Sequence, residues 1–405
     1  MKRFLLLFLA CLIPLSAFAQ TASNLNGGGF VEAGEGVLFA AASDGIYRVE
    51  GGRSERVFEG RASMLQFWNG RLYFLSEAYG QNEFGDWAKV SETPFSVLPD
   101  GSDLRCLGEA RPYRADADFD DSKPDLPRAD RLVGYAGFTV TDDGIYFLGN
   151  AELYGQYECR FTWYESDGSV QTTSASARYE NGIALYRMDT DGRSLARLTD
   201  ALGNATARMA VEDGKIYLAC GWQDVIYAYN FVNYMILDAD GNELVRFRNP
   251  DAELPFSSDA GAFYHIPEAV TPFGDDMLVS LSESEGDFVA SQLFRVTAEG
   301  DMSLVALERY FVPSVLDGRA LYYVGSDSDT IYYDDSTDSA ASLGIYRKSV
   351  DEVGSGIKVT FLPDGEYMYR FQMNALDGTV YFRGSDGRIR RLDASGTVSD
   401  AIPRG

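Results

Sequence analysis

The chain has a single histidine, His265, four cysteines and 13 prolines in 405 residues. A lone histidine excludes metal centres built from several imidazoles and leaves one candidate for a histidine-assisted nucleophile. No Gly-x-Ser-x-Gly elbow accompanies it, and no glycine-rich loop ending in Lys-Ser/Thr occurs. The usual signatures of triad hydrolysis and of nucleotide hydrolysis are therefore missing. Beyond Cys11, the cysteines Cys106, Cys159 and Cys220 are too few and too widely spaced for a disulfide framework or a zinc site. Cys106 and Cys220 lie in apolar runs and read as small buried hydrophobes. Basic residues are scarce, 35 against 61 acids, for a net charge of −26. Nucleic acid and anionic membranes need a basic face, so neither is expected as a partner. Helical periodicity is almost absent.

One long apolar run exists, and it is N-terminal. Lys2 and Arg3 precede Phe4–Leu15, and Ala17-Phe18-Ala19 supplies small residues for cleavage. Residues 1–19 read as a signal peptide cut after Ala19, leaving 20–405 as one exported domain, secreted or periplasmic. The run is shorter than the roughly 20 apolar residues of a membrane span. A lipoprotein reading through Leu9-Ala10-Cys11 leaves too short an apolar stub before the cysteine. Aromatics make up 13% of the chain, which suits a packed fold and not an acidic disordered one.

A repeat organises the rest. An apolar strand, a tight turn and a strand rich in Tyr, Phe and β-branched residues are followed by a second hairpin. The first hairpin is clearest at Asn69-Gly70-Arg71-Leu72-Tyr73-Phe74, Asp143-Gly144-Ile145-Tyr146-Phe147, Asp213-Gly214-Lys215-Ile216-Tyr217-Leu218 and Asp377-Gly378-Thr379-Val380-Tyr381-Phe382. Ile46-Tyr47-Arg48, Leu185-Tyr186-Arg187, Leu293-Phe294-Arg295 and Ile345-Tyr346-Arg347 mark the second. Asn-Gly and Asp-Gly provide the positive φ angles of tight hairpins. Two hairpins make a four-stranded sheet, which cannot bury both faces alone and must stack on its neighbours. Seven units can be read. The expected fold is all-β, a β-propeller of four-stranded antiparallel blades, about seven of them, with six or eight if one hairpin is misread. A unit begins with its own first strand and ends with its own fourth, so the ring can close without a shared blade; Ala22–Leu25 pairing with the last strand is the alternative.

The pattern x-Asp-Gly-x-Ile-Tyr-Phe followed by Leu-Tyr-Arg-Met-Asp-Thr-Asp-Gly, clearest at Asp143–Phe147 and Leu185–Thr199, resembles the bacterial extracytoplasmic β-propeller domain named for the low-density lipoprotein receptor-related protein. The receptor's Tyr-Trp-Thr-Asp signature does not occur here. The resemblance implies a binding or sensing module and carries no catalytic residues with it.

In a four-stranded meander, the first-to-second and third-to-fourth turns share one face of the ring. The long segments Ser76–Thr93, Arg105–Leu132, Gly149–Gly182, Asn249–Glu268 and Gly325–Leu343 all fall on the other. Long connections on a rigid scaffold are where binding residues concentrate. Their aromatics Tyr79, Trp87, Trp163, Tyr164, Trp222 and Tyr264 are the candidate ligand-binding residues, suited to sugar rings or to basic peptides. Compact loops also bury their own aromatics, which is the competing reading of each.

Asp189-Thr190-Asp191-Gly192 and Asp238-Ala239-Asp240-Gly241-Asn242 look like fragments of a calcium loop but lack its full ligand spacing, and read as turns. The acid runs Asp116–Asp121 and Asp327–Asp335 read as solvated charge, with a weak calcium site the alternative. Asn204-Ala205-Thr206 is a formal glycosylation sequon. No cofactor or metal is implied. The expectation is a monomeric, non-catalytic propeller that binds a glycan, peptide or protein partner through its long-loop face. The alternative is a polysaccharide-acting hydrolase or lyase, with two loop-face carboxylates facing each other across a pocket.

Overall fold

The computed structural model describes residues 29–401 apart from positions 35, 298, 300 and 377 and segments 82–86, 113–133, 152–154, 165–168, 180–181, 204–206, 224–229, 248–255, 258–265, 286–287, 309–313, 327–342, 353–355, 363–371 and 384–387. Seven four-stranded antiparallel units follow one another, each meandering outward from an inner strand. Blade 1 is built from Phe30–Glu32, Leu38–Ala41, Gly45–Glu50 and Arg53–Glu59. Blade 2 has Ala62–Trp68, Arg71–Gln81, Trp87–Val97 and Arg105–Cys106, with Arg111–Pro112 also paired to its third strand. Blade 3 has Ala136–Thr141, Gly144–Ala151, Gly182–Met188 and Ala196–Arg197. Blades 4 and 5 run from Ala207–Glu212 to Glu243–Arg246 and from Ile266–Phe273 to Met302–Glu308. Blades 6 and 7 run from Ser314–Asp317 to Ile357–Phe361 and from Gln372–Leu376 to Val398–Asp400. No helix occurs among the described residues.

The core is a ring of seams. Seven apolar clusters are formed by the described residues, and each draws on two neighbouring blades. Strand alternation produces this directly. Ile145 and Phe147 of blade 3 pack against Phe138, Leu107 and Trp68 on the blade 2 side, while Tyr146 and Leu148 pack against Ile216, Leu218 and Cys220 of blade 4. In blade 4, Ile216 and Leu218 face blade 3 while Tyr217 and Ala219 face Val279 of blade 5. The second strand of each repeat is buried on both faces and so reads as an unbroken apolar run, not an alternating one. The repeated tyrosine fits the same logic. Its ring is buried and its hydroxyl needs a partner. Tyr146 donates to Ala239 O at 3.1 Å and Tyr217 to Gly274 O at 2.9 Å, each a turn of the following blade.

Two kinds of turn set the blades. The first-to-second hairpins of blades 2 to 7 have two-residue loops, as at Trp68↔Arg71 and Glu212↔Lys215. In blades 2, 3, 4 and 7 the third-to-fourth turn is a longer one of constant form. In blade 3, Gly192 N donates to Asp189 O at 2.8 Å and Asp189 N to Arg193 O at 2.9 Å. The same pair of bonds closes Leu98–Ser102, Asp238–Asn242 and Asp393–Thr397. The equivalent glycines, Gly101, Gly192, Gly241 and Gly396, have φ of +81° to +85°. A side chain there would also strike the outer part of the preceding blade: Val57 for Gly101, Leu107 for Gly192, Leu198 for Gly241 and Val359 for Gly396. One glycine thus serves both the turn and the blade-to-blade approach. Asp238 accepts from the Asn242 side-chain amide, and also from Asn242 N and Asp240 N, and these bonds hold its carboxyl below the usual range. The turn reading of these aspartates stands, and no group of potential metal ligands occurs among the described residues.

Among the described residues the ring closes without exchanging a strand. Blade 7 ends in its own outer strand, and Phe30, Leu38 and Ala40 of blade 1 pack on Ile389. Asn374 Nδ2 donates to Phe30 O at 2.6 Å, and Arg383 Nη1 to Ala41 O at 2.7 Å. Gln66 makes the equivalent side-chain bridge between blades 2 and 3, donating to Phe138 O and accepting from Val140 N. Ala22–Leu25 lies outside the described residues.

Gly192→Ala should destabilise the protein by at least about 2 kcal/mol, since it combines left-handed strain with a clash on Leu107. Gly214→Ala, at φ +72° with open space around it, should cost only the backbone strain of about 1 kcal/mol. Chemical denaturation of both variants measures the difference.

Candidate functional site

The long connections emerge on one face of the ring, but two of them are not loops. Segment Ser76–Thr93 is largely a continuation of blade 2, whose second and third strands pair from Leu72↔Val97 to Gln81↔Trp87. Blade 1 beside it is low, its second strand ending at Ala41 and turning back by Gly45. The residues Glu77–Gln81 carry the blade 2 hairpin about 15 Å further. Segment Gly149–Gly182 contains a second hairpin, Gly155–Tyr164 with Val170–Tyr179, and Phe256–Ser257 adds to it in parallel. The sequence expectation of loops is corrected at both places. Alternating polar and apolar residues there continue the ladder, a pattern hidden by the surrounding acids and glycines.

Of the candidate aromatics, Trp87 stands near the tip of the blade 2 hairpin with 73% of its surface exposed. It is held by strand pairing to Gln81. Trp68, by contrast, is buried and its Nε1 donates to Asp142 at 3.2 Å. Tyr79 lies further down the hairpin, half-buried, with the Arg61 guanidinium 4.3 Å above its ring. Its hydroxyl donates to Glu77 at 3.3 Å. Trp163 and Tyr164 pair along the backbone with Phe256 and Ser257, which joins the third-blade insertion to the segment between blades 4 and 5. Trp222 pairs along the backbone with Phe231 in blade 4. Tyr264, His265 and both acid runs lie outside the described residues.

The hairpin base carries a charge network absent from the sequence-level candidates. Glu77 and Glu92 sit directly opposite each other on the paired strands. Like charges so placed are destabilising unless neutralised. Lys89 bridges them, with Nζ 3.3 Å from Glu77 and 2.6 Å from Glu92, and Glu92 is buried. Two carboxylates are therefore brought together on the long-connection face, but one ammonium binds both, so neither is free to act as the acid or base of a hydrolytic pair. The only sequence hint was the lysine among acids at Lys89. Arg111, on the extra strand of blade 2, lies about 5 Å from the rings of Tyr135, Phe147 and Tyr186, a cation held by three aromatic rings.

A second depression lies on the opposite, tight-turn face, a cleft of about 710 Å³ between blades 4, 5 and 6. It was not foreseen, since short turns carry no loop signal. Its cations are matched by carboxylates: Lys215 with Asp275 at 2.9 Å, Arg295 with Asp276 at 2.7 Å, and Arg319 with Asp351. Arg295 and Arg319 both lie 5.2 Å from the Phe273 ring. Behind this cleft, burial pushes the Glu212 carboxyl up, with Asp213 adding to the effect. Burial, and then Glu212 and Asp275, push the Tyr217 phenol up to about 12.

The two described cysteines differ from each other. Cys220 is fully buried and burial pushes its thiol up to about 12. Cys106, expected to be buried as well, is exposed on the short outer strand of blade 2, its thiol donating to Gly108 O. An outer strand two residues long has no sheet beyond it to cover that face.

No family model matches the sequence, and no curated protein matches it. Among solved structures, the chain is similar to the β-propeller domain of the trilobed protease from Pyrococcus furiosus, described as having an open velcro topology. The identity is 12% over 85% of this chain and 83% of that one, with a TM-score of 0.44. It is similar to puromycin hydrolase at 10% identity, covering 95% of this chain and 55% of that one, TM-score 0.48. It is also similar to dipeptidyl peptidase 4 of Porphyromonas gingivalis at 10% identity, covering 91% and 59%, TM-score 0.38. The chain thus spans a little over half the length of the last two. At such identity the likeness is one of fold, and no residue role transfers. It does correct one expectation: chains named for hydrolysis are among the similar structures, so the missing sequence signatures do not make this chain a non-enzyme. A motif search sees only catalytic groups close in sequence, whereas a ring of blades assembles sites from distant connections. No helix among the described residues is long and apolar enough to cross a membrane.

The Glu212 carboxyl is raised in the folded state, so folding favours its neutral form. That contribution is complete below the unfolded carboxylate range and is lost as pH rises through the folded value. Glu212→Gln should therefore melt higher than the parent at pH 7, with the gap closing as pH falls below about 4, read from melting temperature against pH. Iodoacetamide should alkylate Cys106 in the native protein and Cys220 only after unfolding, resolved by peptide mass mapping.

Proposed function

We propose that the chain is an exported propeller, cut after Ala19, that binds an extracytoplasmic glycan on its long-connection face. The observation that carries this reading is Trp87: an indole 73% exposed, yet fixed on a paired strand about 15 Å above the low first blade. An exposed indole on a paired strand offers a flat face on which a sugar ring can stack, and neighbouring polar groups can bind the ring's hydroxyls. Tyr79 lies on the same hairpin. Trp163, Tyr164 and Trp222 belong to strands that extend on the same face from blades 3 and 4. The likeness of the repeat to extracytoplasmic binding propellers and the acidic charge of the whole chain support an extracellular binding role. Peptide binding is the second outcome that the same test reads.

Binding is tested by titrating the mature protein with a panel of cell-wall and dietary oligosaccharides, following intrinsic tryptophan fluorescence and melting temperature. A saccharide should change the fluorescence and stabilise the fold, by about 2.7 kcal/mol at 100 times its dissociation constant. Trp87→Ala should weaken that binding at least about tenfold, as loss of one aromatic stack implies, without lowering the melting temperature in the absence of ligand. Unchanged affinity in Trp87→Ala sinks this site. The same incubations, analysed for products, read any turnover.

A further inference from the structure

Several of the described arginines of this acidic chain are neutralised locally. Arg48 meets Glu50, Arg71 and Arg105 share Asp103, Arg187 meets Asp240, Arg246 meets Glu243, Arg295 meets Asp276 and Arg319 meets Asp351. Arg61 and Arg383, on the long-connection face, depart from this pattern. Arg61 precedes the inner strand of blade 2, is exposed, and makes no ion pair among the described residues; its guanidinium rests on the Tyr79 ring at 4.3 Å. Arg383 ends the second strand of blade 7 and gives one hydrogen bond, from Nη1 to Ala41 O at 2.7 Å. The remaining guanidinium donors of Arg383 have no partner among the described residues.

The two lie within electrostatic reach of each other and of Glu77 and Tyr79. Glu77 favours the Arg383 cation from a distance but forms no ion pair with either arginine: its oxygens meet Lys89 at 3.3 Å and the Tyr79 hydroxyl at 3.3 Å, and Lys89 is shared with Glu92. Counting Arg61, Arg383 and Lys89 against Glu77 and Glu92, the cluster is one charge positive within a chain of net charge −26. Burial works against the Arg383 cation; Glu77 favours it, and the like charge of Arg61 opposes it. An anion would offset the burial cost. The position also suits a ligand. Ala41, which holds Arg383, is the point where low blade 1 turns back, at the foot of the projecting hairpin that carries Tyr79 and Trp87.

We propose that Arg61 and Arg383 form an anion-recognition site for an acidic sugar, a glycan whose carboxylate or sulfate lies on the two guanidiniums while a neighbouring ring stacks on Trp87. A planar guanidinium binds such groups through paired, charge-assisted hydrogen bonds, which a neutral sugar cannot accept as strongly. The site deepens the glycan-binding reading above and rests on it.

The test uses the full mature protein and calorimetric titration with four probes: trigalacturonate, its methyl ester, a sulfated chondroitin disaccharide and triglutamate. The expected result is that an acidic saccharide binds at least tenfold more tightly than the neutral ester. Arg61→Gln and Arg383→Gln should each remove about tenfold of the acid's affinity and leave the ester's unchanged. Preference for trigalacturonate assigns a carboxylate, and preference for the chondroitin disaccharide assigns a sulfate; either supports the site. Equal binding of acid and ester, or variants that bind as the parent does, overturns the anion site and leaves glycan binding standing. Tighter binding of triglutamate than of any saccharide overturns the sugar class. Failure of every saccharide overturns this inference together with the glycan reading. Arg383 lies at the closing seam, so its variant is compared only if its melting temperature matches the parent; exposed Arg61 carries the test otherwise.

Discussion

Sheet-to-sheet contact between neighbouring blades is the interaction on which everything else in this protein rests. A single four-stranded blade has two apolar faces and no partner of its own, so it gains its stability only from the blades on either side. Phe147 and Leu148, adjacent in sequence, belong to different seams. Each such buried side chain contributes about 1.5–3 kcal/mol, and the total is shared around the ring. The glycine turns follow from the same constraint. A third-to-fourth turn must come close to the outer part of the preceding blade, and Gly192 over Leu107 shows how little space is left.

Closure is the point of greatest demand, because the first and last blades are joined by no covalent connection. The protein meets it with packing and with side chains that imitate a β-ladder. Asn374 gives its amide to Phe30 O while its own carbonyl accepts from Ala375 N, and it is fully buried. Arg383 adds a charged donor to the same seam. One residue therefore sits at once in the ring's closure and at the mouth of the long-connection face, which ties that site to the integrity of the ring.

The two faces of the ring treat charge differently. On the tight-turn face, the lysine and arginines of the cleft each have a carboxylate, so the depression there is a stitched seam between blades 4, 5 and 6. On the other face, one lysine binds two opposed glutamates, while Arg61 and Arg383 have no ion pair among the described residues. Volume alone points to the first site, and unsatisfied chemistry to the second. That contrast is why function is sought beside the blade 2 hairpin.

Local chemistry in the sequence determined the repeat. Asp-Gly and Asn-Gly turns, apolar runs of about five residues and the recurring Tyr-Arg are properties of neighbouring residues, so the seven units, their strand order and the turn role of Asp189 and Asp238 were all legible. So was the grouping of the long connections on one face, since a meander fixes which connections share a side. Tertiary structure alone decided what depends on residues far apart in the chain. It turned Ser76–Thr93 from a loop into a strand extension, exposed Cys106 while burying Cys220, and set Arg383 against Ala41 across 342 positions. Pattern reports the period of a strand, but which face is covered, and which charge is left without a partner, is set only when the last blade meets the first.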